Sequence, residues 1–186
     1  MSGHSHAKTV KRVKEAADKK KSQVFSKMAG LISMAAKQGG PDAEINSRLR
    51  MAVEAARSAN MPKDNIERAI KRGCGETSDG QNLEEIMIEA YGPGNSAIIV
   101  EAITENKNRT MAEIKQALFS HNAKLVGEGG VKWMFKREIN QNNNCPEWIP
   151  KQTVEVTEKD KESCKKLFAS LEEIDSVQEI YTNLRP

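Results

Sequence analysis

The chain has 186 residues, 30% charged and 38% hydrophobic, with a formal net charge of +3 at pH 7. That length suits one large domain or two small ones, and no segment approaches the roughly 18 apolar residues of a membrane span or resembles a secretory signal, so a cytoplasmic protein without membrane contact is expected. The small net charge hides a split, because sixteen of the 29 Lys and Arg residues precede Gly73 beside only seven acids and the rest of the chain is acidic. A basic half joined to an acidic half is the pattern of a protein that offers one end to phosphates and keeps the other off them.

Between Ala7 and Lys27 eight cations, Lys8, Lys11, Arg12, Lys14, Lys19, Lys20, Lys21 and Lys27, face only Glu15 and Asp18. Their spacing predicts a helical arm whose apolar stripe of Val10, Val13, Ala16 and Ala17 is thin, so the arm packs loosely and orders on a polyanion. Six such cations on phosphates imply a log-log salt slope of about −5 on duplex DNA.

Val24, Met28, Leu31 and Ala35, with Phe25 and Ile32 beside them, predict a firmer helix that stops at Gly39-Gly40-Pro41. A second helix is expected from Ser47 to Ala59 with Asn46 as its N-cap, and a third opens with Pro62 at its first position and closes on Gly73. Arg48, Arg50 and Arg68 stand on the outside of this three-helix bundle as further candidates for phosphate or base contact.

The polar stretch 74–82 reads as a linker, placing a basic all-helical domain at 1–75 and an α+β domain at 76–186. In the second domain Ile86, Ile88 and Ala90 alternate, Gly92-Pro93-Gly94-Asn95 turns the chain, and Ala97–Ile103 forms a buried strand. Thr110 and Glu113 form a capping box before a helix burying Ile114, Ala117 and Leu118. Val131, Trp133 and Phe135 predict one face of a strand, and Gly127–Gly130 a turn leading into it. Thr153–Val156 reads as a short strand, Asp160–Glu173 as a helix and Val177–Thr182 as a last strand, completing an α+β sandwich of helices on one sheet.

The loop carrying Asn106, Asn108 and Arg109, between a strand and a helix start, is a candidate anion or partner site. Glu84, Glu85, Glu89, Glu101 and Glu105 suggest either an acidic cleft lining or, preferably, an exposed strand face that repels nucleic acid. Cys74, Cys145 and Cys164 are odd in number and widely spaced, and read as reduced thiols rather than ligands. Ser2-Gly3-His4 has the spacing of a Cu(II) or Ni(II) chelate, but His4 is assigned with the basic arm to nucleic acid and no metal or cofactor is expected. Neither a nucleophile tied to a base nor a phosphate-binding Gly-rich motif is present, and the aromatic content of 4% does not favour a sheet-type stacking platform. A binding protein rather than an enzyme is expected.

Several segments resemble one family. They are Gly3-His4-Ser5, Phe25-Ser26-Lys27, Ala36–Gly40, Arg48-Leu49-Arg50, Ala59–Ile70 (ANMPKDNIERAI), Tyr91–Gly94, Thr104–Thr110 (TENKNRT) and Val177–Asn183. Together they resemble the YebC/PmpR family, which includes the mitochondrial translational activator of cytochrome oxidase. The resemblance implies a non-enzymatic regulator with a YebC-like fold, either a DNA-binding transcriptional regulator or a ribosome-associated translation factor that binds ribosomal RNA and relieves stalled elongation. It leaves the choice between DNA and RNA, the transcription machinery and the ribosome, and the oligomeric state open. The chain departs from the family at the Trp expected after the opening motif, and residues 140–150 stand where longer members carry an inserted third domain.

Overall fold

A computed structural model describes residues 5–77, 82–140 and 146–185, the side chains of residues 5–17 excepted. The chain divides into two compact units, Met1–Gln81 and Asn82–Pro186.

The first unit is helical. Helix α1 runs unbroken from Ser5 to Gly39, because no Gly or Pro interrupts it before Gly30 and Lys, Ala, Gln and Met are good helix formers. The arm and the firmer helix expected separately are therefore one rod. Its last three turns carry Ile32, Ala35 and Ala36 into a core with Leu49, Val53 and Ala56 of α2 (Ser47–Ser58) and with Ile66 and Ala69 of α3 (Lys63–Gly73). Ile32 and Leu49 are wholly buried, and each side chain of that size contributes about 1.5–3 kcal/mol.

Asn46 ties the corner between α1 and α2. Its Oδ1 accepts from Leu49 N (3.0 Å), capping α2, while its Nδ2 donates to Ala35 O (2.8 Å) and Gly40 O (2.9 Å). Gly40 makes that reversal in the left-handed region, with φ of +84°. Helix α2 ends where Asn60 adopts φ of +59° and Met61 N reaches back to Ala56 O (2.9 Å), which closes the carbonyl end of the helix. Pro62 then precedes α3 in extended backbone, one residue before the helical position expected for it.

The second unit is an α+β sandwich. Strands β1 (Glu84–Tyr91), β2 (Ala97–Thr104), β3 (Lys124–Val126) and β6 (Val177–Thr182) form an antiparallel sheet in the order β3-β1-β2-β6. One face, with Ile86, Ile88, Ala90, Ile98 and Val100, buries Ile114 and Leu118 of α4 (Lys107–Ser120) and Leu167 and Leu171 of α5 (Glu158–Glu172). The other face, with Ala97 and Ile99, is covered by Val131, Phe135 and Trp148 around the hairpin of β4 (Phe135–Ile139) and β5 (Pro146–Pro150). Cover on both faces explains why β2 reads AIIVEAIT, a nearly continuous apolar run rather than a strict alternation.

Three local expectations are corrected. Helix α4 begins at Lys107 under the cap of Asn106, so Thr110 and Glu113 lie inside it rather than forming a capping box. Thr110 is buried instead, its hydroxyl 2.9 Å from that of Thr104 and 3.1 Å from that of Ser176. Residues 132–134 form a short 3₁₀ turn, which sends Val131 and Phe135 inward and leaves Trp133 63% exposed, so the three do not share a strand face. The strand expected at 153–156 reduces to a single parallel bridge between Val154 and Leu184. The strand pairing lies earlier, in β5, where flanking prolines disguise it.

Candidate nucleic-acid interface

The first unit carries a groove of about 490 Å³ between α1 and α3. On α1, residues at three- and four-residue spacing line one wall, and residues 61, 65, 68, 69 and 72 line the other. The floor is apolar: Phe25 and Ala29 on α1, Met61 and Ala69 on or beside α3. Ala29 and Ala69 have little side chain to fill the space between Phe25 and Met61, which is why a groove opens there. Among the described residues of the lining, Lys21, Arg68 and Arg72 are the cations, Asp18 the acid, and Ser22, Ser26 and Asn65 the neutral polar groups. The Lys21 ammonium stands 5.4 Å from the centroid of the Phe25 ring, a favourable cation–π distance.

The structure gathers only part of the basic set proposed from sequence. Lys21 and Arg68 meet in the groove, whereas Lys19 and Lys20 are exposed outside its lining and Lys27 is half-buried. Arg48 hydrogen-bonds to the Gln38 side chain, and Arg50 donates to Glu44 O (3.4 Å), so both serve the α1–α2 corner and stand apart from the groove. Lys8, Lys11, Arg12 and Lys14 lie on α1, with side chains outside the described residues, and His4 lies wholly outside them. Sequence reasoning missed Arg72, Asn65, Ser22 and Ser26 and assigned Phe25 to packing alone. The stripe of positions 18, 21, 22, 25, 26 and 29 on a single helix was the available signal.

In the second unit Asn106, Asn108 and Arg109 belong to the start of α4. The Asn106 side chain accepts from Arg109 N (3.1 Å), and Arg109 pairs with Glu113 at 3.7 Å on the exposed helix surface. Asn106 thus caps the helix start and Arg109 is held by Glu113. The acidic strand face expected here is also corrected, since two of its carboxylates turn inward. Glu89 is buried and its oxygens accept from Gly129 N, Val131 N and Lys132 N, all at 2.7 Å. Burial pushes the Glu89 carboxyl upward, but the three backbone N–H groups and the Lys132 charge outweigh it and hold the group below its ordinary value. Glu101 accepts from Trp148 Nε1 (2.8 Å) and lies 3.5 Å from Arg137, which itself stands 5.1 Å from the Trp148 ring centroid.

Among the described residues no group of three or more His, Cys, Asp or Glu is placed to hold a metal ion. Cys74 is exposed and free, Cys164 buried and free, and Cys145 lies outside the described residues. Burial raises the Cys164 thiol above its ordinary value. Among the described residues, no helix is long and apolar enough to cross a membrane.

These features define an α+β protein of two units, the first helical with a cationic groove. Residues 5–76 match the TACO1/YebC protein N-terminal domain, and residues 83–142 and 138–184 match the TACO1/YebC second and third domain. The chain belongs to the TACO1/YebC family.

A "Probable transcriptional regulatory protein" of Syntrophus aciditrophicus is 50% identical over 138 residues, which are 74% of this chain and 55% of that relative. The chain therefore spans little more than half of that relative. A protein of the same description from Pseudothermotoga lettingae is 37% identical over 237 residues, taking in 98% of this chain and 93% of the relative. That alignment is longer than the chain, so the relative contains residues for which this chain has no counterpart. The crystal structure of a conserved hypothetical protein from Aquifex aeolicus is similar with a TM-score of 0.81 and 31% identity, over 88% of this chain and 90% of that one.

Proposed function

We propose that the protein is a non-enzymatic regulator that works by binding nucleic acid through its helical first unit. The observation that carries this reading is the groove rim, where the exposed Lys21 and Arg68 stand with Asp18 beside a basic arm. Phosphate oxygens are the ligands that reward such a cluster, and their contacts position a protein without reading sequence. The relatives described as probable transcriptional regulatory proteins support transcription as the regulated process; DNA as the target and the cytoplasm as the site of action are part of the proposal.

A second reading, a translation factor on ribosomal RNA, is favoured by the way Arg48 and Arg50 are held. Both guanidinium groups bond to residues of the α1–α2 corner, which leaves the bundle poor in arginines aimed at base edges in a duplex groove. Backbone contact suits a structured RNA as well as it suits DNA.

The β4–β5 hairpin is further read as the short replacement for the domain inserted in longer relatives, with domains at 1–75 and 76–186. The family match breaks into two pieces that meet at 138–142, and β4 pairs directly with β5 from Phe135↔Pro150 to Ile139↔Pro146. Contacts that longer relatives make through their third domain are then unavailable to this chain, and the helical unit carries the recognition.

Crosslinking the full chain in cells and sequencing the attached nucleic acid tests the assignment. Enrichment of promoter fragments supports the first reading and enrichment of ribosomal RNA the second. Recovery of neither, at a yield no higher than for an unrelated protein, overturns both.

A further inference from the structure

Resting on the nucleic-acid reading, we infer that the α1–α3 groove takes one unpaired nucleotide, its phosphate held by Lys21 and Arg68 and its base laid against Phe25. The groove has the volume of a small-molecule pocket, about 300–1,000 Å³, and its floor is apolar while its rim is cationic. A phosphate-bearing strand with a base turned out of the stack has the matching polarity, charge outside and π-face inside. A fully paired duplex does not, because its base faces are covered by one another.

The rest of the lining fits the same occupant. Phe25 is half-buried against the core and contributes to the groove, in a chain with only 4% aromatic residues. Lys21 covers its ring at 5.4 Å; an entering base displaces the ammonium from the ring toward the phosphate that accompanies the base. Arg68 is exposed on α3 and makes no ion pair among the described residues, so it meets a phosphate without first breaking a bond. Ser22, Ser26 and Asn65 add neutral donors and acceptors to the lining, and Ala29 and Ala69 put only a methyl group each into it. The groove thus selects unstacked nucleotides, a preference for single-stranded or looped nucleic acid that phosphate contact alone does not create.

The test uses the full chain and a single-stranded RNA dodecamer carrying 2-aminopurine at each position in turn, the deoxy version of it, and both annealed to their complements. Where a base leaves the stack, the fluorophore, quenched by its neighbours in the free strand, is expected to brighten on binding of the single strands and to be unaffected in the duplexes. Phe25→Leu, which keeps apolar packing, is expected to abolish the brightening and weaken single-strand binding about ten-fold, while Phe25→Tyr preserves the single-strand affinity. Should Phe25→Leu fail to fold, the tyrosine variant and Arg68→Gln decide, the latter by flattening the single-strand salt slope by about 0.7. Brightening with RNA, with DNA or with both supports the inference and identifies the sugar. Unchanged fluorescence in every strand, with salt-sensitive binding intact, overturns the groove inference and leaves the phosphate reading standing; no binding of any strand at low salt overturns both.

Discussion

Gly73 lies so close to Ser33 that a Cβ built on it would stand 2.1 Å from the Ser33 carbonyl oxygen and 2.9 Å from the Ala36 Cβ. The end of α3 is pressed there onto α1, an approach strengthened one turn earlier by the Ser33 hydroxyl, which donates to Ala69 O at 2.7 Å. The obstacle is backbone and cannot rotate away, so Gly73→Ala must push the helices apart. It is expected to cost about 3 kcal/mol, read as a lower urea midpoint of the full chain. The groove walls belong to the same two helices, so on the proposed reading the variant is also expected to weaken nucleic-acid binding.

Asn46 joins three backbone groups of the α1–α2 corner, and its replacement separates two effects. Asn46→Ala loses the cap on Leu49 N and leaves Ala35 O and Gly40 O short of a donor, for an expected loss of about 2–3 kcal/mol. Asn46→Asp keeps an acceptor for Leu49 N but turns an oxygen toward the two carbonyls, and recovers only part of that loss. Thermal melting of both variants followed by circular dichroism checks the order wild type, Asp, Ala.

Glu89 makes the second unit sensitive to acid. Its carboxyl is lowered in the folded protein below the ordinary value of 4.5, so its contribution to stability is present above that value and is lost as the pH falls through the depressed folded value. A plateau from neutral pH to about 5, then a decline, is expected for wild type. Glu89→Gln places an amide donor against backbone N–H groups and is expected to cost about 3 kcal/mol at neutral pH. The variant's stability then depends less on pH in the acid range, which urea titrations at pH 7, 5 and 3.5 measure.

The helical unit was the most legible part of the sequence. Apolar periodicity set α2 and α3, and the Gly39-Gly40 and Gly73 stops fell at observed helix ends because glycine, asparagine and proline act through local backbone geometry. At two places a distant group overrides the local pattern. Val131, Trp133 and Phe135 alternate like a strand, yet Glu89, some forty residues earlier in the chain, takes two N–H groups of that stretch and turns it. Thr110 has the look of a cap but is buried against Thr104 and Ser176. Strand β3 has three residues, too few for any period to register.

The candidate interface was legible in sign and less so in shape. Charge counting identified the basic end, but individual roles depend on which helix face each residue occupies. Lys21 and Arg68 are 47 positions apart and become neighbours of one groove only when α1 packs on α3. Arg48 and Arg50 carry the same charge, and their bonds to Gln38 and Glu44 hold them to the α1–α2 corner.

The central claim, that the amino-terminal cations grip phosphates, is tested most directly by the salt dependence of binding. Fluorescence anisotropy of a labelled duplex DNA and a structured RNA from 50 to 200 mM salt, with the full chain, gives the slope. Six contacts predict about −5 on duplex DNA, and replacing Lys19, Lys20, Lys21 and Lys27 by Gln flattens it by about 0.9 for every cation that meets a phosphate. Binding that ignores salt, or a slope the four replacements leave unchanged, would contradict the account.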